Sequence, residues 1–270
     1  MKAISDIESL NDLIHDYSAR DTITNNYVFT NEFAQHIANK NLFFITEKHN
    51  ACILVKKTGF YKLFYFINNK NELMLNGYNL PVVMEIIYRG ALQRPLEAIT
   101  YWEKCGFKQH LTRDLLTATY KQLIPAEKKS LNIQIKYADT EEEMLYSKEL
   151  IENTFDKYTG DILTYQEVKY FAENKSIICA YFRGNISGVL QSEKKHNVVW
   201  LGHIAVAPEY RGNGIADALV DAYIENNKSQ PDTRYHLWVI QDNSKATTLY
   251  NKFGFVYGNK TSASMLRCIT

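Results

Sequence analysis

The chain has few cysteines, almost no net charge and no long apolar run, and each shortage removes a class of protein. Four cysteines (Cys52, Cys105, Cys179, Cys268) are scattered over 270 residues with no Cys-x-x-Cys. That pattern argues against disulfide staples and zinc ligands and for buried thiols in a reducing compartment. The seven histidines show no metal-ligand spacing, so no metal is expected. A formal charge of +1 gives no long-range pull toward nucleic acid or an anionic membrane. No apolar stretch approaches the roughly 20 residues that a membrane span needs. The opening residues carry Asp6 and Glu8 and lack an apolar centre, unlike a signal peptide. The expectations are a cytoplasmic location, no nucleic-acid or membrane partner, and a monomer or homodimer.

What remains is an ordinary soluble composition, 46% hydrophobic and 23% charged, in a chain long enough for two domains. The polar, proline-led stretch Pro125-Ala126-Glu127-Lys128-Lys129-Ser130 reads as a connection. We therefore expect a domain over 1–125, a linker at 126–130 and a second domain over 131–270.

In the first half, helical spacing of Ile4, Ile7, Ile14 and Tyr17 predicts an amphipathic helix over 5–18. Thr30 is expected to cap a short helix to Ala38. Strands are expected at Leu42–Thr46, Ala51–Val55, Phe60–Ile67 and Val82–Tyr88. Pro95 suits the first turn of a helix ending at Gly106, and Leu115–Tyr120 reads as a further strand. In the second half, a strand over Leu131–Tyr137 precedes a helix capped by Asp139 or Thr140 with Glu142 or Glu143 reaching back. A loop (Lys157–Asp161) leads to a helix over Tyr165–Ala172. Strands at Ser176–Phe182, Ile186–Gln191 and Val198–Val206, a helix over Gly214–Asn226, a strand at Tyr235–Ile240, a helix stopped at Gly254 and a last strand at Ser262–Cys268 complete the order.

The most informative stretch is Ile204 to Ala216. An apolar strand runs into Arg211-Gly212-Asn213-Gly214-Ile215-Ala216, and a helix begins at once. Glycine lets a backbone approach a ligand closely. The first N–H groups of a helix lack internal partners and favour an anion. A phosphate or pyrophosphate suits such a loop, and Arg211 adds charge-assisted bonds. The Walker pattern is excluded because no Gly-Lys-Ser/Thr occurs, and the dinucleotide pattern because the loop has two glycines rather than three. The plain alternative is a tight turn before a core helix.

This stretch, with Val206-x-Pro208 before it, resembles the acetyl-CoA loop of the GNAT N-acetyltransferase superfamily, Arg/Gln-x-x-Gly-x-Gly/Ala. A second signature resembles the family's Asn-x-x-Ala-x-x-Leu-Tyr-x-x-x-Gly-Phe at Asn243, Ala246, Leu249, Tyr250, Phe253, Gly254 and Phe255. The element order of the second half is also the family's. The fold class expected is mixed α/β: a mostly antiparallel central sheet flanked by helices, in a GNAT domain over 131–270. In the first half, Tyr101-Trp102-Glu103-Lys104-Cys105-Gly106-Phe107 echoes Leu249 to Phe255 at an offset of 148 (254 − 106). The first half thus resembles a degenerate second GNAT-like domain. It has no glycine loop, and residues 68–81 are too few for another strand and a full helix. An unrelated α/β domain is the alternative.

The resemblance implies an N-acetyltransferase that passes an acetyl group from acetyl-CoA to a primary amine by direct attack. It implies that Arg211, Gly212, Asn213, Gly214, Ile215 and Ala216 hold the pyrophosphate. It also implies that the pantetheine arm lies along the strand before them, with a backbone N–H near Ala205 or Val206 facing the acetyl oxygen. Tyr250 is the candidate acid, since a phenol suits proton delivery to a thiolate; packing against the coenzyme is its other reading. Family members often place a glutamate where this strand carries His203, the one titratable side chain there, which is either the base or a hydrogen-bonded core residue. Asn243 contacts the coenzyme, caps its helix, or both. Lys157–Thr164 and Val256–Ser262 are the expected acceptor walls, with Tyr158, Asp161 and Tyr165 in reach of an amine. A coenzyme-sensing module without turnover and transfer of another acyl group are the competing functions.

Overall fold

The structure is a computed structural model and describes residues 1–74, 78–89, 93–124, 132–228 and 232–268, without the side chains of 93 and 94. The expected linker at 126–130 lies outside the described residues. The first elements are β1 (Lys2–Ala3), α1 (Ile7–Tyr17), β2 (Ile23–Thr24), α2 (Ala34–Ala38), β3 (Leu42–Glu47), β4 (Asn50–Lys57), β5 (Phe60–Ile67), β6 (Val82–Tyr88), α3 (Gln93–Lys104) and β7 (Lys108–Thr119). Then come β8 (Ile133–Tyr137), α4 (Glu141–Thr154), α5 (Tyr165–Glu173), β9 (Ile177–Phe182), β10 (Asn185–Lys195), β11 (Val198–Val206), α6 (Ile215–Asn226), β12 (Arg234–Ile240), α7 (Ser244–Lys252) and β13 (Val256–Arg267).

Two compact units emerge, and they do not follow the boundary read from the linker. Unit 1 is Met1–Thr112 with Lys260–Thr270, and unit 2 is Arg113–Asn259. The reason lies in two strands that run longer than their sequences promise. Both β7 and β13 have 12 residues, because the polar stretches before Leu115 and Ser262 are extended too. The second half of β7 pairs with β12, Arg113–Thr119 against Ile240–Arg234. The second half of β13 pairs with β6, Thr261–Arg267 against Tyr88–Val82. The strand that pairs with β12 is therefore not Ser262–Cys268, which was expected to close this sheet, but a piece of β7.

Unit 2 has the strand order β8-β9-β10-β11-β12-β7. All neighbours are antiparallel except β11 and β12, which are parallel and joined through α6. One face carries α6 and α7 on a core of Leu201, Leu219, Tyr223, Tyr235, Leu237 and Phe253. The other carries α4 and α5 on Ile151, Val168, Cys179, Val189 and Ala205. α4 starts where the capping box predicted: Thr140 accepts from the Glu143 N–H, and the Glu143 carboxylate accepts from the Thr140 N–H.

Unit 1 repeats this order as β1-β3-β4-β5-β6-β13, with β5 and β6 the parallel pair. Its crossover, residues 68–81, holds no helix among the described residues. Thr30 does not cap a helix; it lies inside a 3-10 turn, Thr30–Phe33, whose cap is Phe29. A five-residue α2 follows.

In both units the parallel pair parts after a few residues. In unit 2 the β11–β12 ladder covers Val198–Leu201 and ends. In unit 1 the β5–β6 ladder covers Tyr61–Lys62 and ends. The opening in unit 1 is filled by the chain itself. β2 pairs with β5, Ile23 with Ile67 and Thr24 with Phe66. Asn25 then spans the gap: its amide donates to Leu63 O (3.1 Å) and Glu85 O (3.0 Å) and accepts from Tyr65 N (2.8 Å). The Tyr27 hydroxyl adds a bond to Ile87 O at 2.9 Å.

Candidate active site

The opening in unit 2 has no such filler. Past Leu201, no strand among the described residues pairs with the β12 side of β11. The separation starts at a bulge. Leu201 faces Ser192 and His203 faces Gln191, so Gly202 is an extra residue with no partner on β10. A bulge sharpens the twist and re-aims the residues after it. Ala205 and Val206 lie beyond it, on the edge the sequence reading assigned to the coenzyme arm.

The glycine loop closes the end of this opening. Pro208–Tyr210 forms a 3-10 turn, and Gly212 (φ +83°) and Gly214 (φ +78°) follow in the left-handed region that glycine enters without strain. Gly214 is the N-cap of α6 and supplies no side chain to its first turn. In consequence the N–H groups of Gly212, Asn213, Gly214, Ile215, Ala216 and Asp217 have no hydrogen-bond partner among the described residues. A side-chain carbon at Gly212 would meet nothing within 4 Å, so the loop is open on that side. Arg211 is exposed, and its Nε is tied to Val206 O at 3.1 Å. Asn213 braces the loop through Tyr210 O at 3.0 Å. Lys252 pairs with Asp217 and offsets the one carboxylate in the first turn. A run of free N–H groups at a helix start, with an arginine beside it, fits a diphosphate.

Tyr250 and Asn243 come from α7. Asn243 is its N-cap, accepting from Ala246 N at 3.1 Å. Tyr250 is buried against Phe255 and the α6 core. Its hydroxyl has no hydrogen-bond partner among the described residues, and burial pushes the phenol above the usual tyrosine range, so it holds its proton at neutral pH.

His203 is placed differently from a free base. Its ring is buried against Phe155 with centroids 4.9 Å apart. Nε2 lies 2.8 Å from Gly160 O, and Nδ1 lies 3.0 Å from Gln191 Oε1, so the neutral ring requires the Gln191 amide turned to present its NH2 to Nδ1. A carbonyl only accepts, so Nε2 carries the proton and donates it. Burial lowers the pKa of the ring, with the Gly160 bond opposing, so the ring is neutral near pH 7.

The loop that His203 holds is the expected acceptor loop. Asp156 Oδ1 accepts from Tyr158 N, Thr159 N and Thr159 Oγ1, and Thr164 caps α5 with Tyr165 at its first position. Asp161 is exposed at a positive φ of 45°. The other expected wall, Val256–Ser262, is divided, since unit 2 ends at Asn259. In its place β7 brings Arg113, whose Nη1 donates to Thr159 O at 3.0 Å. Sequence reasoning missed Arg113 because it precedes the linker and belongs to no motif. Among the described residues no cluster suited to a metal is present, and no helix is long and apolar enough to cross a membrane.

Comparisons with known proteins bear on the family and the fold. Residues 139–255 match the model of the Acetyltransferase (GNAT) family. L-2,4-diaminobutyric acid acetyltransferase of Vibrio parahaemolyticus serotype O3:K6 (strain RIMD 2210633) is 24% identical over 94 residues, 34% of this chain and 52% of that protein. The chain thus spans about half the length of this curated relative. Among solved structures, a GCN5-related N-acetyltransferase from Sphaerobacter thermophilus superposes with a TM-score of 0.59 at 15% identity, covering 81% of this chain and 76% of that one. One from Kribbella flavida gives 0.58 at 10% identity, over 87% and 92%. A tandem GNAT protein from the clavulanic acid biosynthesis pathway gives 0.53 at 10% identity, over 81% and 78%. At these identities the solved structures speak for the fold alone. The chain has the GNAT fold, and its residues 139–255 match the Acetyltransferase (GNAT) family.

Proposed function

We propose that this chain is an N-acetyltransferase that moves an acetyl group from acetyl-CoA to a primary amine, with one coenzyme site, in unit 2. The observation that carries the reading is the run of free N–H groups from Gly212 to Asp217 at the mouth of an unfilled opening between β11 and β12. Arg211 and that run neutralise the diphosphate. The edge of β11 from Gly202 to Val206 offers backbone groups to an extended arm, as a sheet edge does to an added strand. Bound acetyl-CoA supplies the thioester and, once the acetyl has left, a thiolate.

The balance is simple. The ammonium gives one proton to water, the amine nitrogen bonds to the acetyl carbon, and the carbon–sulfur bond breaks. The nitrogen sheds its second proton to solvent, while Tyr250 gives its own to the sulfur and is reprotonated from solvent. His203 takes no proton in this scheme, because its lone N–H is spent on Gly160 O and its burial keeps it neutral. The engaged His203 also favours a second reading, a module that binds the coenzyme without turnover. 2,4-Diaminobutyrate belongs first in the acceptor panel, followed by other small amines, amino acids and peptide N-termini.

The first test is a thermal shift with acetyl-CoA and with CoA. A ligand at about 100 times its dissociation constant adds roughly 2.7 kcal/mol, which is several degrees for a chain of this size. Wild type is expected to shift, Arg211→Ala to shift less, and Gly214→Trp not at all. A folded wild type that does not shift ends both the transferase and the binding-module readings. A shift without acetylation of any amine in the panel leaves the binding module.

A further inference from the structure

We propose that Arg113 is a positioning residue of the acceptor wall, acting with His203 as a two-point clamp on the loop Asp156–Asp161. The acceptor role rests on the transferase reading above; the clamp itself rests on geometry alone.

The loop is braced both from within and from two neighbouring strands. Internally, Asp156 gathers Tyr158 and Thr159, and Gly160 N returns to Asp156 O at 2.8 Å. That turn leaves two successive carbonyls, Thr159 O and Gly160 O, pointing out of the loop. Each is taken by a nitrogen of a different strand: Arg113 Nη1 from β7 and His203 Nε2 from β11. Thr159 is only 4% exposed, so its carbonyl has little recourse to water if Arg113 is removed. The turn is also tight enough to require glycine at its end. A side-chain carbon at Gly160 would come within 2.5 Å of Asp156 O and 2.7 Å of Phe155 Cβ.

Arg113 is in turn held from below. It faces Ile240 across the β7–β12 ladder, and its guanidinium lies 6.0 Å from the Trp238 ring. A diagonal neighbour at that distance supports a cation over its face. The planar head therefore reaches the loop from a fixed base. The residue stands before the linker, in the half of the chain that carries no coenzyme loop. The acceptor wall of the catalytic unit thus depends on a side chain from outside residues 131–270.

The test uses the full-length protein as wild type, Arg113→Ala and Arg113→Lys. Hydrogen–deuterium exchange over 155–161 is read beside α4 and α6, together with the acetyl-CoA thermal shift. Loss of a hydrogen bond to a charged donor is expected to speed exchange of the Tyr158–Asp161 amides about tenfold or more. α4 and α6 and the acetyl-CoA shift should stay as in wild type. Lysine keeps a charged donor but lacks the planar guanidinium, so it should restore part of the protection. For the amine that wild type acetylates, KM is expected to rise several-fold in Arg113→Ala with a smaller change in kcat. Unchanged loop exchange, or exchange that rises equally in α4 and α6, overturns the clamp. A changed loop with unchanged amine KM overturns its acceptor role. A wild type that acetylates nothing overturns the transferase reading and the acceptor role with it, while the exchange comparison still decides the clamp.

Discussion

In the reaction proposed above, Tyr250 is the proton donor. Its hydroxyl sits at the end of a ring buried in the α6–α7 core, with its proton secured by burial. General acids contribute about 10²–10⁴-fold, so Tyr250→Phe is expected to lower kcat roughly a hundredfold or more. The acetyl-CoA thermal shift should remain, because the ring stays. Steady-state kinetics at saturating acetyl-CoA check this, and a change under about threefold assigns the proton to another donor. The residues of the glycine loop were legible in the sequence because their chemistry is local: φ values and free N–H groups are set within six positions of one another. His203 was legible as a titratable side chain but not in its task, since its partner Gly160 is 43 positions away. Arg113 carried no signal, because a lone arginine on a strand gains meaning only from the carbonyl it meets.

Among the elements, the two parallel pairs make the sharpest contrast. The β5–β6 opening is occupied by β2, Asn25 and Tyr27, whereas the β11–β12 opening has no such filler among the described residues. Asn25 is buried, and it satisfies one N–H and two carbonyls that the parting of the strands would otherwise leave bare. Leaving buried backbone groups unpaired costs about 1–3 kcal/mol each. Asn25→Ala is therefore expected to lower the melting temperature by several degrees while acetyl-CoA still binds at one per chain. Calorimetry reads both, and an unchanged melting temperature, or a second coenzyme bound, contradicts this account of the first opening. The echo at Tyr101–Phe107 did announce the repeated strand order of unit 1. The filler was not foreseeable, because Thr22 to Tyr27 has neither periodicity nor a motif. The true lengths of β7 and β13 were hidden for a similar reason: Lys108–Arg113 and Tyr257–Thr261 are polar and read as loop, yet they are extended.

At the scale of the whole molecule, the units and the halves of the sequence differ by one strand each. A fragment of residues 113–259 contains every strand of the unit 2 sheet, including the one that bears Arg113. A fragment of residues 131–270 lacks β7 and leaves β12 as an open edge, which invites pairing with other chains. Expressed separately, the first is expected to melt cooperatively and keep the acetyl-CoA shift, and the second to aggregate or melt without a clear transition. Circular dichroism and size-exclusion chromatography distinguish them; the opposite ranking would mean that unit 2 closes its sheet without β7. The same exchange of strands bears on synthesis. Domains commonly fold in the order in which they leave the ribosome, yet β6 must wait for Thr261–Arg267. The half of the protein that is translated first is the last to be finished, and a ribosome halted before residue 260 holds out a sheet with one side still open.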